Sequence, residues 1–216
     1  MKTFTAIRGA LTAIALVTAP TLALGQSQFD QAMSAAEAGE HARAVSLFLD
    51  AAHSGDEAAQ FNLSVLYARG QGTPQNDQSA FYWAWRARLA GETRAATLTE
   101  FLDDRLSTEI RAIVAEQLLA DVENLAEQGD VAAFLSLGRL NMTLLEPRDR
   151  TQALAWFMIS AAFNVEYGAA LRDALSMELD TETRAEAQAR ARVMFVEWCD
   201  RLPSSARIES CDAADS

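Results

Sequence analysis

Several residue groups in this 216-residue chain could carry chemistry. The first is the pair Gly70-x-Gly72, followed by Pro74 and Asn76. Closely spaced glycines can let backbone N–H groups cradle a phosphate, but such a loop commonly adds a lysine. Lys2 is the only lysine in the chain, which also removes Schiff-base chemistry from everything that follows it. The only histidines are His41 and His53, with no cysteine near either, and their spacing fits no zinc pattern. His53 precedes Gly55 and suits the C-terminal end of a helix, where the dipole favours a cation. The acidic pair Asp103-Asp104 falls at a predicted helix end and faces water. Serine hydrolysis would need a strand-turn-helix elbow carrying Gly-x-Ser-x-Gly, and none is present. The sequence is therefore read as non-enzymatic, with no catalytic, cofactor-binding or metal-ligating residue and no cofactor.

Cys199 and Cys211 are the only cysteines. In an exported chain an even count predicts a disulfide, which would tie the tail back to the last helix. The other group is aromatic: Phe81, Tyr82, Trp83 and Trp85, with Arg86 beside them. Phe81 and Trp85 are four apart and share a helix face, as do Tyr82 and Arg86. These side chains spread around too much of a helix to face one neighbour. Either adjacent helices cover them, or one face stays open to a partner. Tyr82, Trp85 and Arg86 are the candidates for that partner surface.

The elements that must position these residues begin after an export-like segment. Lys2 and Arg8 precede an apolar run over residues 10–19, and Ala23-Leu24-Gly25 suits a signal peptidase. Residues 1–25 are read as a signal peptide; the alternative is an uncleaved anchor. No cysteine follows to accept a lipid, and charges interrupt every later apolar run, so no stable membrane insertion is expected after cleavage. The periplasm is the expected location. Losing Lys2 and Arg8 takes the formal charge from -12 to -14. Phosphates would be repelled, so nucleic acid is not an expected partner.

The chain is internally duplicated. With a shift of 74 residues Gly55, Asp56, Ala59 and Leu63 fall on Gly129, Asp130, Ala133 and Leu137. Past a loop the shift becomes 73, and Pro74, Asn76, Ala80 and Trp83 fall on Pro147, Asp149, Ala153 and Trp156. Leu98, Leu102 and Leu106 fall on Leu171, Leu175 and Leu179. Glycines at 55 and 129 can end helices, while Asp56, Asp130, Asn76, Asp149, Ser107 and Asp180 can cap the next ones. Apolar spacings of three and four predict helices over 28–38, 41–54, 56–69, 77–90, 92–104, 107–127, 130–142, 149–163, 166–177 and 181–202. No stretch alternates with period two. The fold class is all-α, with five helix hairpins and hairpin starts about 36 residues apart, a spacing typical of helical repeat arrays. The repeat domain spans residues 26–202 and a tail spans 203–216.

The second hairpin resembles the Sel1-like repeat, a relative of the tetratricopeptide repeat. The residues carrying the likeness are Ala59, Leu63, Ser64, Tyr67, Gly70, Gly72, Pro74, Asn76, Ala80, Trp83, Ala87 and Gly91. The copy over 130–165 keeps Ala133, Leu137, Gly138, Pro147, Asp149, Ala153, Trp156 and Ala161, but has Asn141 where the pattern has tyrosine. This second bend, "NMTLLEPRDR", has no glycine, so Gly70 and Gly72 read as turn geometry rather than a phosphate cradle. The resemblance implies a right-handed α-solenoid that presents a concave surface to another protein or peptide, here as an exported adaptor of the cell envelope. Two alternatives stay open: a binder of envelope glycan or peptidoglycan fragments, and a cell-wall hydrolase. The oligomeric state is not set by the sequence.

Overall fold

The helices start where short polar side chains can bond the first free backbone N–H groups. Ser27, Asp56, Asn76, Ser107, Asp149 and Asp180 each accept from the N–H three residues on, over 2.7–3.3 Å. The computed structural model describes residues 27–202 and Cys211. The signal peptide read over 1–25 and the tail read over 203–216, apart from Cys211, lie outside the described residues.

Among the described residues there are ten helices and no strand. They are α1 (Gln28–Glu37), α2 (His41–His53), α3 (Glu57–Arg69), α4 (Asp77–Ala90), α5 (Ala95–Asp103), α6 (Thr108–Glu127), α7 (Ala133–Thr143), α8 (Arg150–Ala162), α9 (Gly168–Glu178) and α10 (Thr181–Arg201). The all-α expectation holds. The starts expected at 92, 130 and 166 move two or three residues later. Single turns precede these helices, closed by Ala95 N–H to Glu92 C=O, Ala133 N–H to Asp130 C=O and Gly168 N–H to Val165 C=O. Asp130 thus bonds the Ala132 N–H in a turn before α7 instead of capping the helix itself.

The packing departs from five equal hairpins. The pairs α1/α2, α3/α4 and α7/α8 pack closely along their lengths. By contrast α5 and α6 each lie against α4 more closely than against one another, and α9 and α10 do the same against α8. The structural unit of the duplication is therefore four helices, one hairpin followed by two helices leaning on its second member. Short interhelix turns set local hairpins, but the apolar surface of α4 and α8 is wide enough to take two further neighbours.

The positions carrying the repeat pattern do the packing. Ala59, Leu63, Ala80, Ala87, Ala133, Leu137 and Ala153 are buried, and their small or slender side chains let helix axes approach. Trp83 is buried in the N-terminal core with Phe48, Leu63 and Leu66, and Tyr67 is partly buried there. Its counterpart Trp156 is only partly buried and stacks on Phe134 at 5.6 Å. Burying one such aromatic contributes about 2–3 kcal/mol. Asn141, in place of the expected tyrosine, is buried and donates to the Leu137 carbonyl. Pro74 and Pro147 sit exposed in the two bends.

At the far end, the Trp198 indole N–H donates to the Ala126 carbonyl at 2.7 Å, joining the ends of α10 and α6. Cys199 and Cys211 are disulfide-bonded and both are buried. A link across this separation is worth about 2–3 kcal/mol in the chain-entropy description.

The two bends share one hydrogen bond. Gln71 N–H donates to Leu66 C=O in the first, and Leu145 N–H to Leu140 C=O in the second. Gly70 ends α3 at φ +64°, and Gly72 has φ +78°. Gly72 has a second constraint that the sequence did not reveal. A Cβ there would lie 2.3 Å from the backbone carbonyl of His41, so the bend presses on the start of α2. Gly39 has the same φ of +78° with nothing within 4 Å of a Cβ. The pair separates backbone strain from contact. Gly39→Ala is expected to cost about 1 kcal/mol, as a non-glycine residue in the left-handed region does. Gly72→Ala should cost at least about 2 kcal/mol more, because backbone must move. Urea unfolding of both variants checks this; equal losses would show that the bend does not bear on α2.

Candidate functional site

α4 ends beside a groove. One part, about 630 Å³, lies between the α2–α3 turn, the ends of α4 and α6, and α7; His53, Arg86, Leu125, Asp130, Ser136 and Arg139 are on its walls. A second, about 360 Å³, lies over Trp85, Arg88, Glu92 and Thr143. A third, also about 360 Å³, lies between α7 and α9 and is walled by Met142, Phe157, Leu171, Ala174 and Leu175. Arg139 and Tyr167 line all three, so the parts adjoin at these two side chains. Tyr167 is 61% exposed and holds φ +66°, an uncommon value for a residue with a side chain.

The expected partner-surface residues divide. Trp85 is only 5% exposed, packed edge-on to Phe81 at 6.2 Å, and is corrected from surface to core. The cause is the neighbourhood of α4, which α3, α5, α6 and α7 all touch. Tyr82 and Arg86 are half-buried and joined to a residue of α6. The Tyr82 hydroxyl donates to Asp121 Oδ2 at 2.6 Å, and Arg86 Nη1 donates to the Tyr82 oxygen at 3.0 Å. Arg86 also lies 3.5 Å from the Asp121 carboxylate. Burial, and next the bond to Asp121, push the Tyr82 phenol above its ordinary value. Arg86 reaches the groove wall; Tyr82 serves to hold it.

The two histidines occupy the first and last positions of α2, about 18 Å apart along its axis at 1.5 Å per residue, so they cannot share a metal. His53 packs edge-on to Trp83 at 5.2 Å. Asp103 pairs with Arg111 at 2.9 Å rather than only meeting water.

Sequence reasoning missed Asp121, Arg139 and Tyr167. The bond from Tyr82 to Asp121 spans 39 residues and has no local pattern. Arg139 did leave a signal: it is the one charged residue within α7, AFLSLGRLNMT.

The family model described as Sel1 repeat matches residues 57–91 and 136–162. The two segments are Sel1 repeats. The first covers α3 and α4, and the second runs from within α7 to the end of α8, so the first two parts of the groove have walls from both repeats, and the third lies between the second repeat and α9. No curated protein matches the chain. Among solved structures, one of a protective antigen present in uropathogenic Escherichia coli strains, displaying an SLR fold, is similar at 20% identity over 83% of this chain, with a TM-score of 0.34. The chain spans 46% of that structure's length.

The link between α4 and α6 makes a testable pH signature. The folded state holds the Tyr82 proton more tightly than the unfolded chain does. Stability from this group is therefore complete below pH 10 and is lost as pH rises through the raised folded value. Tyr82→Phe is expected to cost about 1 kcal/mol at neutral pH through the lost hydrogen bond, and to flatten the fall in stability above pH 10. Unfolding curves at neutral and alkaline pH check both; an unchanged alkaline slope would remove Tyr82 from the explanation.

Proposed function

We propose that this chain is an exported helical-repeat scaffold that binds an extended segment of another protein in the groove between its two Sel1 repeats. The observation that carries the reading is the groove itself. It runs past Arg139 in two directions, has an apolar reach between α7 and α9, and is bordered by an exposed Tyr167. A groove with both polar and apolar walls suits a peptide, whose backbone and side chains present both. The Sel1 repeat is an interaction module, which agrees with a binding role. Glycan stacking would need several exposed aromatic faces; of the aromatic side chains on the groove Tyr167 is exposed, while Trp85 and Phe157 are buried.

Export is supported by the basic, apolar and small-residue pattern of residues 1–25. The bonded Cys199–Cys211 pair agrees with an oxidising compartment such as the periplasm. No described helix is long and apolar enough to cross a membrane.

Site-specific photocrosslinking tests the reading in intact cells. An amine-reactive reagent is unsuitable, because Lys2 is the only lysine. A photoreactive residue at Ser136, in the groove, is expected to give one discrete protein adduct; the same group at Val193, exposed on α10, is expected to give none. Adducts at Val193 alone would move the interface off the groove, and attachment to sacculus fragments would favour the glycan alternative. Intact mass of the periplasmic adduct should correspond to a chain beginning at Gln26; retention of residues 1–25 would make the segment an anchor.

A further inference from the structure

In a chain with formal charge -12, most arginines near a carboxylate use it. Nine described arginines form ion pairs within 4.0 Å, among them Arg86, Arg105, Arg111 and Arg190. Arg88 and Arg139 do not, although both are half-buried and both wall the same part of the groove. Arg88 bonds Thr99 Oγ1 at 2.8 Å and lies over the Trp85 ring, 4.8 Å from its centre. Arg139 donates to the Leu89 carbonyl at 3.3 Å. Each guanidinium carries five N–H donors, so most remain for a ligand. The Trp85 indole N–H, on the same cavity, is buried without a hydrogen-bond partner among the described residues. The one carboxylate lining this part of the groove, Glu92, is taken by Arg94 at 2.5 Å.

We propose that Arg88 and Arg139 form a subsite for the carboxylate of an aspartate or glutamate side chain within an extended partner peptide. The inference rests on the groove being a peptide-binding surface. Two arginines held side by side in a partly dry cleft repel one another, and a carboxylate bridging them removes that cost while accepting paired hydrogen bonds. The Arg139 guanidinium is accordingly held below its ordinary value, by burial first and by the charge of Arg88 next.

The surroundings select a single negative charge rather than a polyanion. Asp130 and Glu166 stand on one side of the pair without an ion-pair partner among the described residues, and Glu178, paired with Arg150, stands on the other. A phosphate-rich or uronate-rich polymer threaded along the groove would meet Asp130 and Glu166, whereas one carboxylate between uncharged neighbours would not. The groove continues on both sides of Arg139, so the peptide passes through and the acid is internal to it. The apolar walls at Met142, Leu171 and Leu175 place an apolar side chain to one side of the acid.

The probe is a library of random linear peptides, displayed with fused sequence at both ends and selected on the full chain. Selected sequences are expected to share one acidic position flanked by an apolar one. Synthetic copies with amidated C-termini should bind, and replacing the acid by its amide should weaken binding at least about tenfold on the unmodified protein. That comparison needs no protein variant. On Arg88→Gln/Arg139→Gln protein, confirmed folded by its thermal transition, acid and amide peptides should bind alike. Peptides that compete for the groove yet tolerate the amide overturn the carboxylate subsite and leave the groove reading intact. Binding that requires a free C-terminal carboxylate also overturns the internal acid. Selected peptides whose binding survives Ser136→Trp, which fills the large part of the groove, overturn the groove reading itself.

Discussion

The burial of α4 on nearly every side is the constraint on which the rest of the structure depends. α3, α5, α6 and α7 all pack on this one helix. Ala80, Phe81, Trp83, Ala84, Trp85, Ala87 and Leu89 are buried around its circumference. A helix with buried residues on nearly every side is stable only as a central element, and α4 joins two cores. Trp83 belongs to the N-terminal one with α1–α3, while Phe81 and Trp85 belong to the central one with α6 and α7. Its polar side chains cannot reach open water on a free face, so they run along seams between neighbours. Tyr82 and Arg86 find Asp121 on α6. Arg88 finds only a threonine hydroxyl and the face of Trp85.

The groove follows from the same arrangement. α7 meets α4 through few close approaches, and Arg139 spans the gap by bonding the carbonyl of Leu89 near the α4 C-terminus. The second repeat is packed tightly behind this wall: a Cβ on Gly138 would lie 2.3 Å from the Phe157 ring, so α8 fixes α7 in place. Phe134, Phe163 and Trp198 form an aromatic cluster that holds α7, the end of α8 and α10 as one body. The cleft is thus walled by elements whose own packing leaves little freedom to collapse into it.

Most of the architecture was legible because its signals are local. Caps such as Asn76 and Asp149, and the glycines at 55 and 129, lie within a turn of the boundaries they set. The internal copy made the loop glycines readable as bend residues. What the sequence hid is what depends on distant residues. Gly72 meets the backbone of His41 through folding and not through spacing. The departure of α5/α6 and α9/α10 from simple hairpins reflects competition for the surfaces of α4 and α8. Trp85 stays a surface candidate in the sequence because helical spacing gives the face but not the number of neighbours. Of the candidate site, Arg86 is legible beside the aromatics, whereas Arg139 shows only as a lone charge in an apolar helix, costly enough to ask for a reason.

Backbone amide hydrogen exchange of the full chain, free and saturated with a captured partner segment, tests the central claim most directly. A segment lying between the two repeats should slow exchange at the C-terminal turn of α4 and along α7, with α9 protected on the side of Leu171 and Leu175. Protection confined to the outer faces of α9 and α10, around Met177 and Val193, would contradict it.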